Sequence, residues 1–294
     1  VYVEDSNGRV SSEYVTSEET TQSGADYIIN TVYTSDGANG LYYHDGVGTY
    51  TNASQEARDN SYRYSGANPN NYVCFGSEAA TCPEENLYRI IGLFDDDQDG
   101  IYNIKLIKST SYGSYAWDSG MSNTWNETEK PDIYTTLNTT YWNTLSSKWQ
   151  NLIDATTQWQ VGGMEFSNAN TVKQYYNEEI KNQTGYEETM AVGLMYVSDY
   201  GYAASPKYWQ TTLYGYSRSA KSSDWLFIGT NEWTISRGSS YTHAVFPIYS
   251  TGNVDFDYAV YADLANTVRP TFYLESEITL VGGTGSVSDP FKLS

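Results

Sequence analysis

Between Asp224 and Leu274 the chain alternates apolar residues with small, polar or aromatic ones, the two-residue rhythm of half-buried strands. Trp225, Trp233, Ile235, Phe246, Ile248, Val268 and Phe272 take the positions expected to point inward. Ser239, Ser240, Tyr241, His243, Asn253, Asp255, Asp257 and Tyr261 fall in turns or on outward faces, a mixture of the kind antibody-like binding surfaces use. The pattern predicts strands near 232–237, 242–249, 254–261 and 268–274, with turns at Arg237-Gly238 and at 251–253.

Upstream, LYRIIGLF and IYNIKLIKS read as two strands of a hairpin joined by DDDQDG. From Asp132, a capping residue, Ile133, Leu137, Tyr141, Leu145, Trp149 and Leu152 recur at helical spacing, with a break near Ser146-Ser147. A second helical run covers 172–181, after a strand-like QWQVGGMEF. Leu194 to Val197 reads as a buried strand, and 200–209 as a loop of aromatic and small residues. Residues 1–71 hold only isolated apolar islands separated by Asp-Gly and Asn-Gly turns. They are expected to form an N-terminal arm or linker, partly ordered, with one short helix or strand near 24–34. Residues 72–294 would then form the main domain, ending in a Gly/Ser-rich tail with one apolar hook, Phe291. From 87 to 181 the order of elements reads strand, strand, helix, strand, helix.

Composition narrows the partners. Sixteen basic against 36 acidic residues leave a net charge of −20, which repels phosphate backbones and anionic lipid surfaces. Nucleic acid and direct membrane insertion are therefore excluded as expectations. Thirty tyrosines and eight tryptophans in 294 residues, among many Ser, Thr, Asn and Gly, are the vocabulary of extracellular recognition, although most such tyrosines are also ordinary strand residues. The chain shows no signal peptide or apolar spanning run, and its opening without Met predicts a processed or trimmed product.

Two cysteines, Cys74 and Cys82, are close enough for one small disulfide in an oxidising compartment. A zinc pair is the alternative, but only His44 and His243 are at hand to complete four ligands. Disulfide and composition together predict a secreted or cell-surface protein. Asp95, Asp97 and Asp99 followed by Gly100 match the carboxylate spacing that wraps Ca²⁺. Leu106 stands where such loops place a closing Glu, so a calcium turn and a plain acidic turn both stand.

Trp233, Ser236, Arg237, Ala244, Gly252 and the run V-R-P-x-F-Y-L at 268–274 resemble the C-terminal half of bacterial C-type-lectin-like domains. That group includes retroelement-diversified variable proteins and formylglycine-generating-enzyme-like folds. The upstream runs NYVCFGS, CPEENLYRIIG and GLMYVSDYGYAASP are similar to exported, prepilin-like surface proteins of Gram-positive bacteria. The resemblance covers about 62–292. It implies an α+β, C-type-lectin-like fold, a small twisted mixed sheet flanked by two or three helices, in which Arg269 is a buried anchor. By the same resemblance, Ser239, Ser240, Tyr241, Thr242, His243, Val245, Asn253, Asp255, Asp257 and Tyr261 fall where those proteins vary or bind. No cysteine pair lies in 225–274, against formylglycine-generating chemistry, and no Glu-Pro-Asn or Gln-Pro-Asp supports a calcium-bridged sugar site.

The expected function is that of a non-catalytic, adhesin-like binding protein, recognising a protein or glycan on another cell or surface through 239–261. The alternative is a structural subunit that self-associates into a surface filament or layer. An enzyme is the least favoured reading, since neither histidine sits in a nucleophile or metalloprotease motif.

Overall fold

The computed structural model of the chain describes residues 2–4, 10–12, 22–46, 55–96, 98–165, 167–255, 260–261 and 263–294. In chain order the strands are β1 (Tyr2–Glu4), β2 (Val10–Ser12), β3 (Leu41–Tyr43), β4 (Tyr62–Tyr64), β5 (Tyr72–Cys74), β6 (Leu87–Phe94), β7 (Asn103–Lys108), β8 (Gly113–Ala116) and β9 (Gln158–Gln160). They continue as β10 (Glu187–Thr189), β11 (Glu232–Arg237), β12 (Ala244–Ile248), β13 (Val260–Tyr261), β14 (Ala265–Val268), β15 (Thr271–Tyr273), β16 (Leu280–Gly282) and β17 (Phe291–Leu293). Helical segments are α1 (24–32), α2 (132–144), α3 (Ser147–Gln150), α4 (172–181), α5 (Val197–Ala203) and α6 (Arg218–Lys221). The class is α+β, with several mixed sheets and few, short helices.

The larger sheet runs β15-β7-β6-β5-β17-β16, with β4 and then β3 added beside the far half of β6. Its backbone is the predicted 87–108 hairpin, paired from Tyr88 opposite Lys108 to Phe94 opposite Asn103. β6 pairs with β5 over its first half and with β4 over its second, and its register with β7 shifts between Ile90 and Gly92. Gly92 is required there, because a Cβ would meet the Tyr62 carbonyl at 2.4 Å. The smaller sheet runs β13-β12-β11-β14-β8, with β11 and β14 parallel and the rest antiparallel.

The seven residues predicted to point inward from 225–272 are all buried. The strand expected at 268–274 is instead two, β14 in the smaller sheet and β15 in the larger. Arg269-Pro270 lies between them, and Pro270 has no N–H with which to continue a ladder. The predicted break near Ser146 is present: α2 ends at 144 and Ser146 precedes α3.

The strand expected at Leu194 to Val197 is absent, although the segment is buried, and the loop expected at 200–209 is corrected over its first part by helix α5. Every one of its residues is buried, so it has no polar face and therefore no helical period to read. Its start is held by Asp199, whose carboxylate accepts the Tyr196 N–H at 2.9 Å. The boundary expected at 71/72 falls inside one sheet, between β4 and β5. Ala25, Ile28, Leu41 and Tyr64 belong to the same apolar core as Phe272 and Phe291, so 22–46 and 55–71 are part of the domain and not an arm. The glycine-rich tail likewise pairs as β16 and β17, with Phe291 buried as expected.

Candidate functional site

The turn between β11 and β12 carries the first group of predicted contact residues. Ser239, Ser240 and Tyr241 are exposed, Tyr241 by 49%, and His243 is half-buried. From beneath, the buried Asn123 amide nitrogen donates to the carbonyls of Gly238, Tyr241 and Ala244 at 2.9, 2.7 and 2.6 Å. Its own backbone N–H reaches the Thr242 carbonyl at 2.7 Å. From the side, Met164 N–H donates to Arg237 O and Ser239 N–H to Met164 O, while Arg237 Nε donates to Val161 O at 2.6 Å. Ser239 and Ser240 hydroxyls both donate to Glu165 Oε1, which holds that carboxyl below its ordinary value. The exposed tip thus has its backbone polar groups tied to fixed partners.

The second group sits at the other end of β12. Tyr249, Gly252 and Asn253 close a turn in which Gly252, at φ +91°, accepts the Tyr200 hydroxyl at 2.6 Å. Asn253 and Asp255 are half-buried there. Five residues of strand, about 17 Å, separate the two turns. Val254 pairs with Ile248, and β13 pairs with β12 through Val260 opposite Val245, so both lie beside β12 at the edge of the smaller sheet. Asp257 lies outside the described residues, and of Tyr261 only the backbone, opposite Ala244, is described. The predicted residues that are described are therefore spread along one sheet edge and its two ends and do not form a single cluster.

The scaffold beneath is an ion pair. Arg269 Nε and Nη2 donate to Glu232 Oε1 and Oε2 at 2.5 and 2.9 Å, and Nη2 also reaches the Leu226 carbonyl. Both side chains are buried, as the resemblance implied for Arg269.

A feature missed from sequence is a cleft of about 780 Å³ between the β6–β7 hairpin tip, residues 58–63 and the segment around β9. Its floor is a chain of alternating charges. Lys105 Nζ lies 2.7 Å from Asp199, Arg63 lies 3.6 Å from the other Asp199 oxygen, and Arg63 also bonds Asp59 at 2.6 Å. Phe94, Trp159, Tyr196 and Tyr273 surround the Lys105 ammonium at 4.7–5.5 Å. Burial lowers Lys105 below its ordinary value, partly offset by Asp199. Burial alone would raise Asp59, but the Arg63 guanidinium overrides it and brings the carboxyl to about 2. One signal was available: Arg63 in Y-R-Y and Lys105 in I-K-L-I-K are charges at inward strand positions, which are buried only with partners.

In the acidic turn, Asp95 Oδ2 accepts Gly100 N–H at 3.1 Å and Asp99 Oδ1 accepts Ile101 N–H at 2.7 Å. Asp97 lies outside the described residues. Among the described residues no group of three or more His, Cys, Asp or Glu is placed to hold a metal ion. Cys74 and Cys82 form the expected disulfide. His44 is a core residue: its Nδ1 accepts the Ala57 N–H at 3.0 Å, its ring packs on Tyr202 and Trp209, and burial lowers it to about 3. Among the described residues, no helix is long and apolar enough to cross a membrane.

Compared with known proteins, the chain matches no protein-family model, no curated protein and no solved structure.

Proposed function

We propose that the chain is a non-catalytic, extracellular binding protein of C-type-lectin-like architecture that recognises a protein or glycan on another surface through the β11–β12 turn and the adjoining sheet edge. The observation that carries this reading is the grip of Asn123 on Gly238, Tyr241 and Ala244. A turn held this way presents Ser239, Ser240 and Tyr241 without having to be ordered on binding, and pre-organisation of that kind is what makes an exposed aromatic an effective anchor. The disulfide supports the extracellular setting.

Screening the purified chain against arrays of glycans and surface proteins, beside a Ser240→Arg/Tyr241→Ala variant of equal melting temperature, tests the reading. A ligand of the wild type is expected to lose about tenfold or more in affinity on the variant. Full retention of binding would remove this face as the site.

A further inference from the structure

The cleft floored by Lys105, Asp199, Arg63 and Asp59 plays no part in the proposed recognition edge. We propose that it binds an extended chain bearing primary ammonium groups, as a polyamine or a lysine-containing peptide presents. Its volume, about 780 Å³, is within the usual range of small-ligand sites. The chemistry of its walls selects the class. Amide and hydroxyl side chains such as Asn60, Asn103, Gln158 and Thr156 line it, which disfavours an apolar occupant.

An anion is disfavoured as well, because the two cations of the floor are already paired with carboxylates. On the rim, Asp95, Asp96, Asp99, Asp154 and Glu187 stand against only Arg58 and Lys181. The unsatisfied groups point the same way. Asp95 Oδ1 on the hairpin tip and Gln160 Oε1 on β9 are acceptors shielded from solvent, and neither has a hydrogen-bond donor among the described residues. Unpaired buried acceptors are costly, and a ligand rich in N–H donors would relieve that cost. Lys105 shows how this interior accommodates an ammonium: one carboxylate at 2.7 Å, and the rings of Tyr196 and Tyr273 at 4.7 and 5.2 Å.

The test is calorimetric titration of the whole chain with spermidine and with an acetylated tri-lysine amide at about 150 mM salt, where exposed charges more than about 8 Å apart are largely screened. Asp96→Asn/Glu187→Gln removes two rim charges, and Glu127→Gln/Glu129→Gln removes two from an exposed loop that does not line the cleft. The cleft variant is expected to weaken binding about tenfold and the loop variant less than about twofold. Backbone amide shifts induced by the probes are expected at Asn103, Thr156 and Gln158. Tighter binding of spermidine identifies a free polyamine as the source, and tighter binding of tri-lysine a peptide. Should the cleft variant melt early, Ser276→Lys, which adds an ammonium to the cleft lining, is expected to compete with both probes. Equal weakening by both double variants would reduce the effect to diffuse attraction and overturn the proposal. So would shifts confined to another surface, or no binding at about 1 mM probe.

Discussion

Arg269 and Glu232 meet through two parallel hydrogen bonds at 2.5 and 2.9 Å, tying the crossing between the two sheets to the first residue of β11. The Arg269 side chain is 1% exposed and that of Glu232 2%, so neither charge has water to fall back on. Removing one partner strands the other. Arg269→Met is expected to destabilise the fold by about 3–5 kcal/mol, and the double change Arg269→Met/Glu232→Leu to recover much of that loss. Urea unfolding of the four proteins measures it. A single variant within about 1 kcal/mol of the wild type would show the pair to be dispensable.

Asn123 is the corresponding residue for the turn. Asn123→Ala removes the side-chain donor from the carbonyls of Gly238, Tyr241 and Ala244; those of Tyr241 and Ala244 keep the Ala244 and Gly238 N–H groups, so the loss falls chiefly on Gly238. Each buried acceptor left unpaired costs about 1–3 kcal/mol, and water entering at the tip offsets part of it. The expected outcome is a global loss of about 2 kcal/mol together with faster amide exchange confined to 238–244. Unchanged exchange in that segment would mean the turn is held by β11, β12 and the contacts to Val161, Met164 and Glu165 without Asn123.

These two residues also show what the chain discloses in advance. Arg269 was expected as an anchor only through the resemblance carried by V-R-P, whereas the strands at 87–108 and 232–248 were legible because alternation is a local property. Asn123 was not, since its partners lie 115 to 121 residues away and its neighbours carry no period. Helix α5 was hidden because full burial erases the amphipathic signal. Residues 22–71 looked unable to fold by themselves, and in isolation that reasoning holds. Ala25 and Ile28 reach the core through α1, whose first residue donates its N–H to the Ile278 carbonyl, and Leu41 and Tyr64 through the pairing of β3 and β4 onto the second half of β6. The cleft depended on that same non-local pairing, which brings Arg63 to within reach of Asp199.

Reduction of the disulfide should have a small and local effect. Cys74 ends β5 and Cys82 follows eight residues later, so the closed loop is short. The loop-entropy relation gives about 2–3 kcal/mol for such a crosslink. Cys74→Ala/Cys82→Ala is expected to lower the melting temperature by several degrees while leaving the chain folded. Unfolding at room temperature on reduction would show that the crosslink supports the β5–β6 and β5–β17 pairings.

Asp224 should give the stability of the fold a pH dependence opposite to that of most carboxylates. Burial pushes this carboxyl from its ordinary 3.8 up to about 8, with the Tyr216 hydroxyl at 3.0 Å and the Leu226 N–H at 3.0 Å only partly opposing the rise. The folded chain therefore binds this proton more tightly than the unfolded chain. The contribution is fully present below 3.8 and is lost as the pH rises toward and through about 8. His44 acts in the other direction: burial lowers it from 6.5 to about 3, so its contribution is intact above 6.5 and is lost as the pH falls toward 3. Asp224→Asn keeps a neutral group of the same shape, with its amide able to donate to the Tyr216 oxygen. Urea midpoints followed from about pH 5 to about pH 9 should fall for the wild type relative to this variant, by a few kcal/mol in all, and level off above about pH 8. Acid destabilisation through His44 should be the same in both proteins. Parallel profiles across the alkaline half would mean that Asp224 is already ionised in the folded chain, with Arg269 as the nearer source of compensation.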